Sequence, residues 1–456
     1  MQSDKSEKTL IRGLGLFEAA TLIIGGMVGT TIFLVTSDVA TIVGSPGLVM
    51  LTWVVAGLLQ GAAALCFAEL SASMPHTGGT YVFLNRAYNS ELLSFCFAWM
   101  MCFAYSSAAI AVVAILAGIF LMPVLQGFGL IEGDYARHIA ILLIVFLAIL
   151  NARGVKQGGI AQNVFTIVKV SLMLVVIVTP LVLIDVQPAN FLQSEISNTG
   201  LISSSQNVGT ALILCLFAYS GAFFVTHVAE EISEPQRNIP KAIMSAFLIV
   251  FVLYLLINVT YLTTMPFDDV KASTHIASDV MARALGPTGA ILTSFIVFCS
   301  AVGVVNAQLL NYPRIPFALA KDGLFFRRIA NVSDTRRTPS NAIMLIGTWA
   351  SLMVLAGSYS EILGFVAFVI HFFISLAVLA VIILRIREPD LVRPYKVWGY
   401  PWTPVLFLIV SAGYLINLIV TKPGSVFIGV AIVLAGLPFY WYWKRQMTDP
   451  ISKNVP

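Results

Sequence analysis

Apolar and polar residues do not alternate along this chain; the apolar ones come in blocks. Twelve blocks can be drawn, at about 14–43, 47–73, 90–122, 137–152, 162–184, 205–231, 240–265, 288–319, 340–357, 360–384, 401–420 and 425–443. Each is close to, or longer than, the ~20 residues an α-helix needs to cross the hydrocarbon of a bilayer. Helices are required there because lipid offers a bare backbone amide no partner. The expectation is an all-α integral membrane protein with twelve transmembrane helices, the fourth being the shortest.

Charge gives the blocks a direction. With the N-terminus inside, the inner segments hold twenty of the 26 Lys and Arg residues. The outer segments hold only Arg137, Lys271, Arg283 and Lys422, while Lys169 and Arg314 fall within spans. Such a bias predicts a multi-pass protein of the cell membrane with both termini cytoplasmic. Charged residues make up 11% of the chain and hydrophobic ones 58%, whereas a soluble protein carries roughly a quarter charged residues. That excludes a water-soluble enzyme, a nucleic-acid binder and a disordered chain. All five cysteines (Cys66, Cys96, Cys102, Cys215 and Cys299) lie in apolar runs without a CxxC, so disulfides and structural zinc are not expected. The start of the chain has no short apolar core followed by a cleavage site. No long polar domain interrupts the blocks, so function is expected between the helices.

Two blocks are interrupted. In the first, Gly25, Gly26, Gly29, Thr30 and Thr31 fall within nine residues in mid-span. In the sixth, Phe217-Ala218-Tyr219-Ser220-Gly221 does the same. Small residues also serve helix packing, and glycine costs about 1 kcal/mol per helical position. Spans one and six are equivalent if the first ten spans form two five-span repeats, and an odd number per repeat makes the second inverted. Paired interruptions at matching positions are the mark of a binding site between broken helices.

Five stretches follow one another along the chain: GGMVGTTIF, FAELSASMPHTGGTYVFLNRAY, FAYSG followed by EEISEPQRNIPKAI, NAQLLNYPRIPFALAKDGLFF and REPDLVRPYKVWGYPWTP. On these the chain resembles the amino acid–polyamine–organocation transporter family, close to its L-type and bacterial amino acid exchanger branch. The resemblance runs from Gly13 to about Trp443. It implies a leucine-transporter-type fold, a 5+5 inverted repeat plus two extra helices. The expected organisation is a cytoplasmic tail over 1–13 and a ten-helix core over 14–384. A basic loop with two C-terminal helices covers 385–443, and a second tail covers 444–456. It further implies a substrate α-carboxylate on the amides of Gly29, Thr30 and Thr31, next to Met27. The ammonium would take the carbonyls of Phe217, Ala218 and Ser220, with Tyr219 and Gly221 in the same break and the Phe217 ring closing over the substrate. One departure stands: Thr31 occupies a position where the family usually has glycine, which narrows the close backbone approach or adds a donor.

Lys169 lies about eight residues into span five, roughly 12 Å deep at 1.5 Å per residue. An intramembrane charge marks function by default, although a lysine also snorkels to the interface. Gln162, Thr166 and Lys169 share one helix face, which points them into the bundle. The resemblance implies that this lysine replaces a sodium ion, reaching the first break near Gly25 and a hydroxyl of span eight, Ser300. It would act as carrier of a coupled proton or as a fixed pin in an exchanger. Glu69 and Glu230 are expected at the cytoplasmic ends of spans two and six, with Arg314 as a gate partner to one of them or as an interface anchor. Glu361 sits at the outer edge. No carboxylate falls near the middle of spans three or eight, so a neutral amino acid is expected rather than a cationic one or a polyamine. His227 and Glu230, three residues apart, have no second pair to complete a metal site, and His371 reads as a hydrogen-bonded interior histidine. Arg385, Arg387, Arg393 and Lys396 read chiefly as topology determinants, or as contacts to anionic lipids.

The function expected is secondary active transport of neutral L-amino acids, as proton-coupled symport or otherwise sodium-independent, with obligate exchange as the alternative. A membrane enzyme would need a catalytic cluster and a channel a ring of charges or carbonyls; the sequence offers neither. No cofactor is expected. Residues 123–138 contain no cysteine, so no disulfide-linked heavy chain is expected.

Overall fold

The computed structural model describes residue 10 and residues 12–186, 201–333, 338–357 and 359–448, without the side chains of 201–206, 359–363 and 366. Lys5, Lys8, Arg336, Arg337, Lys453 and the side chain of Glu361 therefore lie outside the described residues.

The first repeat contains α1 (Leu16–Met27), α2 (Val35–Val43), α3 (Pro46–Ser73), α4 (Thr80–Tyr88), α5 (Glu91–Met100), α6 (Ser106–Gly127), α7 (Ala136–Ala152) and α8 (Val155–Leu183). The second contains α9 (Leu201–Ala218), α10 (Pro235–Thr264), α11 (Phe267–Ala272), α12 (Ile276–Leu285), α13 (Pro287–Asn311), α14 (Arg314–Lys321), α15 (Ser340–Ala356) and α16 (Tyr359–Arg387). Outside both lie α17 (Trp402–Thr421), α18 (Pro423–Leu434) and α19 (Leu437–Thr448). Among the described residues no strand forms; a single bridge joins Leu14 to Ile232.

Eight described helices are long and apolar enough to cross a membrane, and four shorter apolar helices take the remaining places in the order of the twelve blocks. Local chemistry sets their limits. Proline, whose missing N–H is no loss at a helix start, opens α3, α10, α13 and α18. The Ser90 hydroxyl accepts from the Leu93 amide at the start of α5, and Gly44 closes α2 in a left-handed conformation.

Three blocks, each a single span in the count above, carry an internal irregularity. In block eight α13 stops at Asn311, and Pro313 leads into α14, since proline cannot supply the amide that would carry the helix on. Block twelve divides into α18 and α19 around Ala435 and Gly436. Block three is joined across a π-helical stretch, Met101–Tyr105, which links α5 to α6.

The helix α1 lies at the centre, in contact with α8, α10 and α13. Described residues from segments grouped as inner by the charge count meet at one end of the molecule. There Arg86 pairs with Glu388, and Lys444 with Glu91. We call this the basic end.

Candidate functional site

Both interrupted blocks are broken. The helix α1 ends at Met27; residues 28–30 are unwound, a 3-10 turn covers Thr31–Phe33, and α2 continues from Val35. Among the described residues, neither the Gly29 nor the Thr30 amide donates to a backbone carbonyl. The helix α9 ends at Ala218; a turn covers 219–223, and a 3-10 stretch runs from Phe224 to Glu231. Gly221 has φ +112°, a conformation that favours glycine, and a β-carbon there would meet the Gly26 backbone at 3.3 Å. The two breaks therefore touch.

Between them is a cavity of about 120 Å³. It is lined from the first break by Met27, Gly29, Thr30 and Thr31, and from the second by Phe217, Ala218, Ser220 and Phe224. The remaining walls come from α6 (Ala109, Val112, Val113 and Leu116) and α13 (Val304 and Gln308), with Tyr105 and Tyr312. No lining side chain is charged. Phe217 lines this cavity and is 43% exposed in all.

Two expected site residues lie elsewhere. The Tyr219 ring points away, packed against Trp53 (5.7 Å) and Tyr254 (4.9 Å). Gly221 provides the close approach to α1 rather than cavity wall. The carbonyl expected from Phe217 already accepts from the Ser220 amide at 3.1 Å.

The polar face of α8 turns inward. Gln162, Thr166 and Lys169 are each 2% exposed or less. The Lys169 Nζ donates to the carbonyls of Gly25 (2.7 Å) and Val28 (3.0 Å). The Ser300 hydroxyl of α13 donates to the same Val28 carbonyl at 3.0 Å. Gly25, Lys169 and Ser300 thus meet at the first break, with the ammonium on carbonyls freed by unwinding. A side chain at Gly25 would collide with Gln162 and Thr166, so only glycine lets α8 come this close. A buried polar chain continues toward the basic end: Gln162 accepts from Asn306 (2.8 Å), which accepts from Asn151 (2.8 Å).

At the basic end the pairing differs from expectation. Arg314 is bound to Glu231, not to Glu69 or Glu230. Its Nε and Nη2 lie 2.8 and 3.0 Å from the two carboxylate oxygens, in a pair 1% and 0% exposed. Glu69 and Glu230 were the expected partners, but over the 3-10 stretch 224–231 Glu231 is turned inward and Glu230 remains partly exposed. Glu230 accepts from the Thr77 hydroxyl (2.9 Å) and lines an open depression of about 650 Å³. Glu69 takes a bidentate Arg385 (2.9 and 2.5 Å), the Val397 amide (2.7 Å) and Arg393 at 3.5 Å. Arg385 and Arg393 are accordingly structural ligands of a buried carboxylate, beyond their part in the charge bias. The Leu14 amide donates to the Glu231 carbonyl (3.0 Å) and the Ser233 amide to Leu14 (2.8 Å), tying the start of α1 beside the Arg314 pair. His227 faces Asn311 at 2.9 Å, and His371 faces the Ser411 hydroxyl at 3.0 Å.

Residues that sequence reasoning passed over complete the site. The Tyr254 hydroxyl of α10 lies 2.8 Å from the Met27 carbonyl and 3.3 Å from that of Ala218, one phenol against both breaks. Phe224 and Tyr312 pack edge to face (5.2 Å) at the cavity. The only signal for Tyr254 in sequence was a polar tip in an apolar block, which many interfacial tyrosines share.

A model of the family described as amino acid permease matches residues 14–441. The chain is 30% identical to the serine/threonine exchanger SteT of Bacillus subtilis (strain 168), over 96% of its own length and 98% of that protein's. It is 26% identical to the b(0,+)-type amino acid transporter 1 of Homo sapiens, covering 100% of the chain and 94% of the relative. It is 27% identical to the large neutral amino acids transporter small subunit 2 of Mus musculus, covering 96% and 82%.

Proposed function

The chain belongs to the amino acid permease family of multi-pass membrane transporters, and from that premise we propose that it carries neutral amino acids by sodium-independent exchange. It transports amino acids and is not an enzyme. The reading of its site is that the substrate lies in the cavity between the breaks. Its α-carboxylate takes the amides of Gly29 and Thr30, which no backbone carbonyl among the described residues occupies, with Thr31; they carry partial positive charge at the start of a helical segment. Its ammonium takes carbonyls of the second break, Ala218 and Ser220, where the chain leaves α9. An uncharged lining supports a neutral side chain, because a buried charge without a partner is expensive.

The observation that carries sodium independence is the Lys169 ammonium on the Gly25 and Val28 carbonyls. Unwound carbonyls of this kind are where a coupled cation binds in broken-helix transporters, and a fixed ammonium occupies them. Among the described residues Lys169 has no carboxylate partner. That favours a second reading, in which the same group carries a proton in symport.

Alternating access then closes one end at a time. The Arg314–Glu231 pair and the Leu14 bridge hold the basic end shut. We take that end as cytoplasmic, with both tails inside the cell, 14–384 as the moving core and 385–443 as its flank. The chain works without a disulfide-linked heavy chain, which a non-reducing gel of native membranes tests directly.

Purified protein in proteoliposomes provides the main test. Labelled neutral amino acids are expected to enter only when an unlabelled amino acid waits inside, equally in sodium and potassium buffers. Uptake that requires sodium defeats the assignment of Lys169. Uptake into empty vesicles driven by an inward proton gradient replaces exchange by symport.

A further inference from the structure

We propose that Trp349 of α15, together with Ser107, is a positioning residue for transport. The two hold the π-helical stretch before α6 in the register that turns one wall of the cavity toward the substrate's side chain. Neither is among the residues that line the cavity. The inference rests on the reading above that the substrate lies between the breaks, gripped by its two charged ends.

The chain crosses from Glu91 to Gly127 in a single span, but its helical step changes on the way. Over Met101–Tyr105 the backbone bonds reach five residues instead of four, as when the Ser106 amide donates to the Met101 carbonyl. That turn holds one residue more than an α turn, and at 3.6 residues per turn each residue is about 100° of rotation. All of α6 is thereby rotated relative to α5. Beyond the change of step, the cavity wall is made by Tyr105, Ala109, Val112, Val113 and Leu116, whose spacing of four, seven, eight and eleven is one helical face. Taking out the extra residue would turn that face about 100° away from the breaks.

Such turns are rare and persist where something supports them. Here two side-chain donors serve adjacent carbonyls of the stretch. The Ser107 hydroxyl donates to the Cys102 carbonyl at 3.2 Å. The Trp349 Nε1–H, from another helix, donates to the Phe103 carbonyl at 2.8 Å. The Trp349 ring also meets the Phe103 ring edge to face at 5.8 Å. Phe103 is thus tied to α15 by its carbonyl and by its ring, two residues before Tyr105. Tyr105 in turn is buried, its ring 5.9 Å from that of Tyr312. A tryptophan in a membrane protein also serves as an interfacial anchor, but the N–H that an anchor would offer to headgroups is here given to the stretch.

Glycine and valine separate positioning from general damage, because glycine has no side chain to lay on the α6 wall. Trp349→Phe keeps an aromatic ring and removes the N–H. In proteoliposome counterflow with labelled alanine, unlabelled valine is expected to compete about 3- to 10-fold less well in this variant than in the unaltered protein, the span of one hydrogen bond. Competition by unlabelled glycine should be unchanged. Ser107→Ala is expected to give the same split, and it decides alone if Trp349→Phe does not fold. An equal loss for both amino acids overturns the proposal and makes the two residues merely structural. No loss for either overturns it as well, whatever happens to the thermal midpoint. Failure of every amino acid to exchange in the unaltered protein would instead defeat the transport reading itself.

Discussion

The two broken helices face the same cavity but are stabilised by different means. The first break is pinned at the break itself. A buried ammonium and a serine hydroxyl satisfy its freed carbonyls, and glycine at position 25 lets α8 come close enough to place them. The second break has no such cation among the described residues. Its turn is held from the side by the Tyr219 ring between Trp53 and Tyr254, and from below by Glu231 at the far end of its 3-10 stretch, bound to Arg314. The Tyr254 hydroxyl reaches a carbonyl of each. The difference suggests a division of labour. A break clamped by charge keeps its geometry as the molecule moves, while one anchored at a remote ion pair can be released when that pair opens.

Breaking the remote anchor has the largest expected effect. Arg314→Ala leaves Glu231 buried and unpaired, which costs about 3–5 kcal/mol. Thermal unfolding in detergent should show a large drop in midpoint. A wild-type midpoint would mean that the pair does not hold the second break. Next comes Lys169→Ala. The first break then loses its pin, and a shift of about 1 Å at the carboxylate site lowers exchange on the order of 10²-fold. Loss of pH-dependent uptake with exchange intact would make Lys169 a proton carrier instead, and survival of both would sever it from the mechanism. Tyr254→Phe removes a single hydroxyl and should cost about 1–2 kcal/mol. Because both breaks share that hydroxyl, stability and apparent substrate affinity should fall together; a change in only one would disconnect the breaks.

The smallest effect lies outside both, and serves as the contrast. Hydrogen bonding from Arg86 holds the Glu388 carboxyl below its usual 4.5. Its contribution is therefore full above pH ~4.5 and fades as pH falls through the lowered value. For a surface pair this is under about 1 kcal/mol. Glu388→Gln should flatten that part of the stability–pH curve and leave exchange rates alone. An altered rate would draw the basic depression into the transport cycle.

Much of the fold was legible from sequence because the bilayer permits few solutions. Twelve apolar blocks, a one-sided distribution of Lys and Arg and two interruptions at matching positions led to the architecture. Lys169 was legible for the same reason: a charge deep in an apolar block must face inward, and its i, i+4, i+7 neighbours Gln162 and Thr166 gave the direction. Arg314 was visible as a charge, but its partner was not. Glu230 and Glu231 are adjacent in sequence, and only the 3-10 winding of that stretch decides which carboxylate turns in. The division of block eight at Pro313 was written in the sequence and passed over, because hydropathy continues across it.

What the sequence determined alone is the environment each segment must occupy, since the cost of placing charge or unpaired backbone in lipid depends on local composition. What only the tertiary structure decided is which groups meet. Tyr254 against both breaks, Glu69 beneath the 385–397 segment, and Tyr105 with Tyr312 at one end of the cavity each join residues distant in the chain. Such meetings are fixed by how glycine-lined surfaces let helices approach, a matter of a few tenths of an ångström that no pattern of hydrophobic and polar letters records.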